Sequence, residues 1–212
     1  MADNYLEKRY EATLGSQKPK VKRVGPTLDD LLLRARSCRG YNQNYVVKRA
    51  ELERIVAACG KIGSAKNQQL LRFRLVTRGP EADMLNANIK LGAMLPEPHL
   101  PLPGTEPQAF IVVCAVADAN RWIDIDLGMA LQTIMLKTAE MGLNSIIIGA
   151  FNRAEVRRGL NLELEPQMVV AVGKGIEHYA IDTISPDESH AYYRRDGIHH
   201  IPKIGVADLI ID

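Results

Sequence analysis

Apolar residues along the chain recur with two different periods, and each change of period marks a new element. In "KRAELERIVAACGKI" (48–62), Leu52, Ile55, Val56 and Cys59 fall at helical spacing with charges on the other side, which predicts an amphipathic helix. "LRFRLVTR" (71–78) alternates apolar and polar and predicts a strand. "AFIVVCAVA" (109–117) and "SIIIGAF" (145–151) are continuously apolar, as strands covered on both faces are, and "QMVVAVGKG" (167–175) reads as a further strand. "RWIDIDLGMALQTIMLKTAEMG" carries a wide apolar stripe through Ile123, Leu127, Ala130, Leu131, Ile134 and Met135, and this helix stops at Gly142. Thr27, with Asp30 three residues on, predicts the capped start of a helix running to about Arg36; "NRAEVRRGL" (152–160) predicts a short one. Residues 1–25 read as an arm outside a domain spanning 26–212, and 95–107 is a proline-rich loop. The tail "AYYRRDGIHHIPKIGVADLIID" ends in an apolar segment that must pack on something. Strands and helices alternate without an internal repeat, so one three-layer α/β or α+β domain is expected.

Composition narrows the partners. The 212 residues carry a net charge of +2, with 46% hydrophobic and 25% charged residues, which is too balanced for nucleic acid or a membrane surface to be the partner of the whole molecule. The basic stretch from Lys18 to Arg23 lacks the interleaved aromatics of a nucleic-acid site. No apolar run approaches the roughly 20 residues of a membrane span, and the start has no secretory apolar region, so the cytoplasm is the expected location. Cys38, Cys59 and Cys114 form neither a CxxC pair nor an even disulfide framework. There is no GxGxxG, HExxH or GxSxG; "VGKG" (172–175) lacks the first glycine and the Ser/Thr of a phosphate loop. His199 and His200 are adjacent in a strand-like tail and so face opposite sides, which disfavours a shared metal. No catalytic side chain is expected, and an enzyme of this make-up would rely on a bound cofactor.

Two stretches carry candidate binding chemistry. "RARSCRGY" (34–41) holds three arginines and a serine; in an extended segment Ser37 and Arg39 project to one side and Cys38 to the other. A hydroxyl beside a guanidinium fork suits a phosphate monoester, with Arg36 and Arg34 adding charge; the plainer alternative is solvated helix-end charge. "SAKNQQLLRF" (64–73) sets Asn67 and Gln69 ahead of a strand, where their amides suit a planar heterocycle or plain turn chemistry.

"RSCRGY", "SAKNQQLLRF", "DLGMALQTIMLKTAEMGL", "SIIIGAF" and the tail "YYRRDGIHHIPK", in this order, resemble the nitroreductase family of flavin enzymes over about residues 27–212. The resemblance implies an α+β three-layer sandwich, with a central mostly antiparallel sheet flanked by helices, in an intertwined homodimer. It implies one FMN in each of two interface sites. Arg36, Ser37 and Arg39 match the segment at the phosphate and ribityl end. Ser64, Asn67 and Gln69 match the polar contacts to the flavin, with the neighbouring subunit as one source of them. Gly149 and Ala150 match the strand end whose backbone N–H faces flavin N5, and Lys203 matches a C-terminal lysine at the phosphate. Arg39 or Lys90 would place positive charge near N1/O2. Ala35 stands where the family commonly has arginine, and Ile204–Gly205 where it often has another; both thin the charge around the phosphate, with Arg34 as a compensating group. The stretch 79–108 is short for the family, so the substrate channel is expected to be differently walled. The implied activity is ping-pong transfer of hydride from NAD(P)H to a small-molecule nitroaromatic, quinone or enone acceptor. A degenerate protein holding flavin or a phosphorylated ligand without turnover is the alternative.

Overall fold

Thr27 caps the first helix as its place before Asp30 predicts: its hydroxyl accepts from the Asp30 N–H at 3.1 Å, and its own N–H donates to the Asp30 carboxylate at 2.9 Å. That helix, α1 (Leu28–Arg34), buries none of its own residues. The computed structural model describes residues 9–10, 25–92, 100–118 and 120–211. The expected N-terminal arm falls outside these apart from residues 9, 10 and 25, and so does 95–99 of the proline-rich loop.

The order continues with α2 (Arg49–Cys59), β1 (Leu71–Val76), α3 (Pro80–Asn88), β2 (Ala109–Ala115), α4 (Arg121–Glu140), β3 (Asn144–Ile148), α5 (Arg153–Gly159) and β4 (Glu165–Gly173). The chain closes with β5 (His178–Ile184), β6 (Tyr193–Arg195), β7 (Ile198–Ile204) and α6 (Val206–Leu209). Strands β1–β4 form one antiparallel sheet in the order β1-β2-β4-β3. Its continuous apolar strands are covered on both faces. Ala109, Ile111 and Val113 of β2 pack with Leu52 and Ile55 of α2 and Leu127, Leu131 and Ile134 of α4. Phe110, Val112 and Cys114 pack with Leu85 of α3 and Val156 of α5. The alternation along β2 therefore supplies two apolar layers, which is why the strand reads as apolar throughout. Helix, sheet and helix make the three layers of an α+β sandwich.

Helix α3 lies where the sequence shows only a connection. Pro80 opens it and Glu81 and Asp83 occupy its first turn, but Ala82 and Leu85 are its only buried residues among those described, too few to mark a stripe. The strand-like tail forms β7 of a second sheet, β5-β7-β6, whose pairing the sequence does not show; β5 and β7 run parallel and β6 is antiparallel to β7. The run 145–151 gives up its strand geometry after Ile148, and Phe151 bridges to Ile89 instead. The apolar end of the tail stays open, with Val206, Leu209, Ile210 and Ile211 all exposed.

Candidate functional site

The segment Arg36–Tyr41 runs extended along the edge of the sheet, joined to it by isolated bridges at Ser37 and Tyr41. Ser37 forms a parallel bridge with Ser145 at the start of β3, and the Cys38 N–H donates to the Ser145 carbonyl at 3.1 Å. On its other side the Ile176 N–H donates to Gly40 O at 3.1 Å. Extended geometry turns Cys38 into the core and Arg39 the opposite way, where Arg39 is nonetheless only 7% exposed. Its Nη1 donates to Ser37 O at 3.1 Å and lies 3.5 Å from His199 Nε2, while the guanidinium sits 5.1 Å from the centroid of the Tyr192 ring. Its Nε, and that of half-buried Arg36, are buried without an acceptor among the described residues. Desolvation lowers the pKa of the Arg36 guanidinium, whose Nη2 donates to Leu32 O.

Glu177 is the nearest acid, and its carboxylate is otherwise engaged. Oε2 accepts from the backbone N–H of Arg39 at 2.5 Å and from the Tyr179 hydroxyl at 3.2 Å, and Oε1 pairs with Arg194 Nη2 at 2.5 Å. Burial first, then the neighbouring Cys38, holds the Tyr179 phenol far above its ordinary pKa, so it remains a donor to this carboxylate. Among the described residues no carboxylate lies within ion-pair distance of the Arg39 side chain. A buried guanidinium without a counter-charge is costly, and it favours binding of an anion. Arg39, Gly40, Thr105, Glu177, Arg194 and His199 line a cavity of about 210 Å³.

A second cluster surrounds the loop before β1. The Ser64 hydroxyl donates to Asp126 Oδ2 at 2.5 Å and accepts from the Gln69 N–H at 2.9 Å; the Ala65 N–H donates to Asp126 Oδ1 at 3.1 Å. Asp126, on α4, is 4% exposed. Lys66, Asn67 and Gln69 have φ of 52°, 54° and 52°, the left-handed region that costs a side-chain-bearing residue roughly 1 kcal/mol or more. The Gln69 amide donates to Asn67 Oδ1 at 3.1 Å, so the two amides form one polar edge on a cavity of about 360 Å³ also lined by Arg72 and Phe73. The Ser64 hydroxyl thus holds the loop, and Asn67 and Gln69 present the polar groups.

Gly149 and Ala150 follow β3 and are exposed. The Lys90 N–H donates to Ala150 O at 2.9 Å, and a cavity of about 480 Å³ opens there between Asn88, Lys90, Ala150 and Asn152. Lys203 lies on β7 on the same face as His199, roughly 13 Å further along at ~3.3 Å per residue, and is exposed. In a single chain, then, Arg36, Ser37 and Arg39 gather at one end of β3 and Gly149–Ala150 lie at its other end. Ser64, Asn67 and Gln69 sit at the far edge of the sheet, and Lys203 lies away from Arg39. The residues that do meet Arg39 are His199, Tyr192 and Glu177. The one signal for them in the sequence is the His199–His200 alternation: His199 is buried beside Arg39, and His200 pairs with Asp182 on the other side at 2.9 Å.

The orphaned guanidinium nitrogens beside Ser37, the amide edge of Asn67 and Gln69, and the exposed backbone at Gly149 suit the phosphate, ring edge and close approach of a flavin nucleotide. The Nitroreductase family model matches residues 32–174, about two thirds of the chain. No curated protein matches it. Among solved structures, a protein from Desulfovibrio desulfuricans assigned as a nitroreductase and solved in complex with FMN superposes with a TM-score of 0.62 at 19% identity, over 89% of this chain and 98% of that one. An FMN-dependent nitroreductase from Clostridium difficile gives 0.56 at 20% identity over 70% and 87%. A nitroreductase family protein from Clostridium novyi gives 0.58 at 16% over 71% and 86%.

Proposed function

The chain belongs to the nitroreductase family, and from that premise we propose that it is an FMN-dependent oxidoreductase working as a homodimer. It would transfer hydride from NAD(P)H to a small-molecule nitroaromatic, quinone or enone in two half-reactions. The observation that carries this reading is the pair of buried guanidinium nitrogens at Arg36 and Arg39, which lack acceptors among the described residues and flank Ser37 in a segment locked onto β3.

When bound, FMN supplies the hydride-accepting and hydride-donating chemistry. The protein binds and orients. Arg36, Ser37 and Arg39 would hold the phosphate and ribityl end. Asn67 and Gln69, fixed through Ser64 and Asp126, would offer hydrogen bonds to the ring edge. Gly149 and Ala150 would present backbone to the reacting face, with Lys203 adding charge at the phosphate. Lys90, exposed at the cavity beside Ala150, would place positive charge near N1/O2 of the ring, where it stabilises negative charge on the reduced form.

The visible spectrum and steady-state NAD(P)H oxidation with a quinone acceptor test the proposal together. Oxidised-flavin bands and turnover are the expected result. A colourless protein that remains so after incubation with excess FMN would refute it. Flavin bands without turnover would favour the non-catalytic binding alternative, to which the missing charge at Ala35, Ile204 and Gly205 points.

A further inference from the structure

We propose that Met168 is a positioning residue of the flavin site, its thioether setting how a flavin ring rests against the bare Cα of Gly149 and so tuning the ring's reduction potential. The inference rests on the function proposed above. A Cβ built on Gly149 would lie 3.6 Å from Met168 Sδ and 3.7 Å from Met168 Cε, and among the described residues no other group beyond its chain neighbours comes within 4 Å. The strand register explains the meeting. Ile148 and Val169 are the last pair of β3 and β4, and one step further sets Gly149 opposite Met168. Met168 in turn pairs with Val113 of β2, and Val113 with Phe73 of β1. Phe73, Val113 and Met168 belong to the apolar cluster on the α2 and α4 face, and the row they form across the sheet ends at Gly149. Phe73, at the other end of the row, lines the cavity that carries Asn67 and Gln69.

Burial along β4 marks where the helix cover stops. Val169, Val170, Ala171 and Val172 are 0% exposed, whereas Met168 is half-buried. A long, unbranched side chain at the rim of the core therefore ends beside a backbone position with no side chain of its own. A ring laid against Gly149 meets that thioether. Its bulk limits how far the ring slides along the backbone. Its polarisable sulfur, with lone pairs to offer, interacts better with the electron-poor oxidised ring than with the electron-rich reduced one. Met168 thus biases a bound flavin toward its oxidised form.

Redox titration of the FMN-loaded, full-length protein against reference dyes measures this bias, alongside visible spectra and thermal melts. The variants are Met168→Leu, which keeps the volume and removes the sulfur, Met168→Ala, and Met141→Leu as a control in the same apolar cluster at the C-terminal end of α4. The expected result is that Met168→Leu melts with wild type and favours the reduced flavin about fivefold more, an upward shift of about 20 mV for a two-electron couple. Met168→Ala should shift the potential in the same direction, with displaced visible bands as the ring resettles, and Met141→Leu should match wild type. If Met168→Leu fails to fold, Met168→Ala carries the same comparison. Unchanged or lowered potentials in the flavin-loaded Met168 variants would overturn the assignment and leave the flavin reading intact. An equal shift in Met141→Leu would overturn it too, because the effect would not be local to Gly149. Protein that takes up no FMN at all would defeat the flavin reading itself, and the role of Met168 with it.

Discussion

A Cβ built on Gly149 would come no closer than 3.6 Å to Met168, ordinary van der Waals contact, and its φ lies outside the left-handed region. A Cβ on Gly175 would sit 2.6 Å from Cys38 Sγ and 2.7 Å from Asn144 Cγ, closer than real side chains tolerate. The two glycines therefore separate fold from function. Gly149→Ala should melt within about 1 kcal/mol of wild type, because nothing in the chain resists the methyl. Its reduction by NAD(P)H should nonetheless slow, since a ring lying against that backbone would be pushed away. Gly175→Ala should lose about 1–3 kcal/mol of stability through overpacking against Cys38. Parallel melts and stopped-flow flavin reduction check both; a Gly149→Ala protein reduced at the wild-type rate would remove Gly149 from the proposed site. Burial pushes the Cys59 and Cys114 thiols up to about 11, as befits desolvated thiols rather than nucleophiles.

Helix α4 joins the core to the loop before β1. Its outer turns carry Asp126, whose two oxygens hold the Ser64 hydroxyl and the Ala65 N–H while three left-handed residues follow. Asp126→Ala would leave two partly buried donors without their acceptor, at about 1–2 kcal/mol in total, and release Asn67 and Gln69 from their present geometry. The melting temperature should drop and FMN retention with it, with Asp126→Asn, which keeps one acceptor, recovering most of both. Retention unchanged in the alanine variant would show that the loop does not contribute to the cofactor site. Elements of this kind divide by how much of their chemistry is local. The apolar periods of α2, α4 and β1–β4 reflect burial, so they are legible from residue type alone. So is the Thr27 cap, whose partner lies three residues away. Helix α3 escapes because Ala82 and Leu85 make too short a stripe. The β5–β7 pairing escapes because it joins segments about twenty residues apart, whereas the β6–β7 hairpin turns on Asp196–Gly197, with φ of 53° and 75°, a signal the sequence does carry locally. The candidate site follows the same division. Arg36, Ser37 and Arg39 share one short stretch and could be grouped by type, whereas His199, Tyr192 and Glu177 reach Arg39 only through the fold, from 138 to 160 residues away in sequence.

At the scale of the molecule, the proposed cofactor residues sit on opposite edges of one sheet. Gly149 follows edge strand β3, and Ser64, Asn67 and Gln69 precede edge strand β1, with β2 and β4 between. Three strand spacings of ~4.8 Å put about 14 Å between those edges, so one chain does not bring its own two halves together across the sheet. The homodimer proposed above would supply the other half from a second copy. The surface agrees with that need: Trp122, Ile125 and Met129 form an exposed stripe on α4, Leu28, Leu32 and Leu33 are exposed on the adjacent α1, and Val206, Leu209, Ile210 and Ile211 add another apolar patch at the chain end. Contiguous exposed apolar residues of this kind mark an interaction surface, and a second copy of this chain is the partner the proposed dimer calls for. Sedimentation should therefore give twice the 23.5 kDa chain mass. Ile125→Glu combined with Met129→Glu, at positions already solvent-facing in the single chain, should spare its core while placing two carboxylates in the apolar contact. The species should shift toward 23.5 kDa, and FMN should be lost in proportion to the monomer formed. A monomeric variant that keeps its flavin would separate the cofactor from the interface and show that both halves of the site come from one chain.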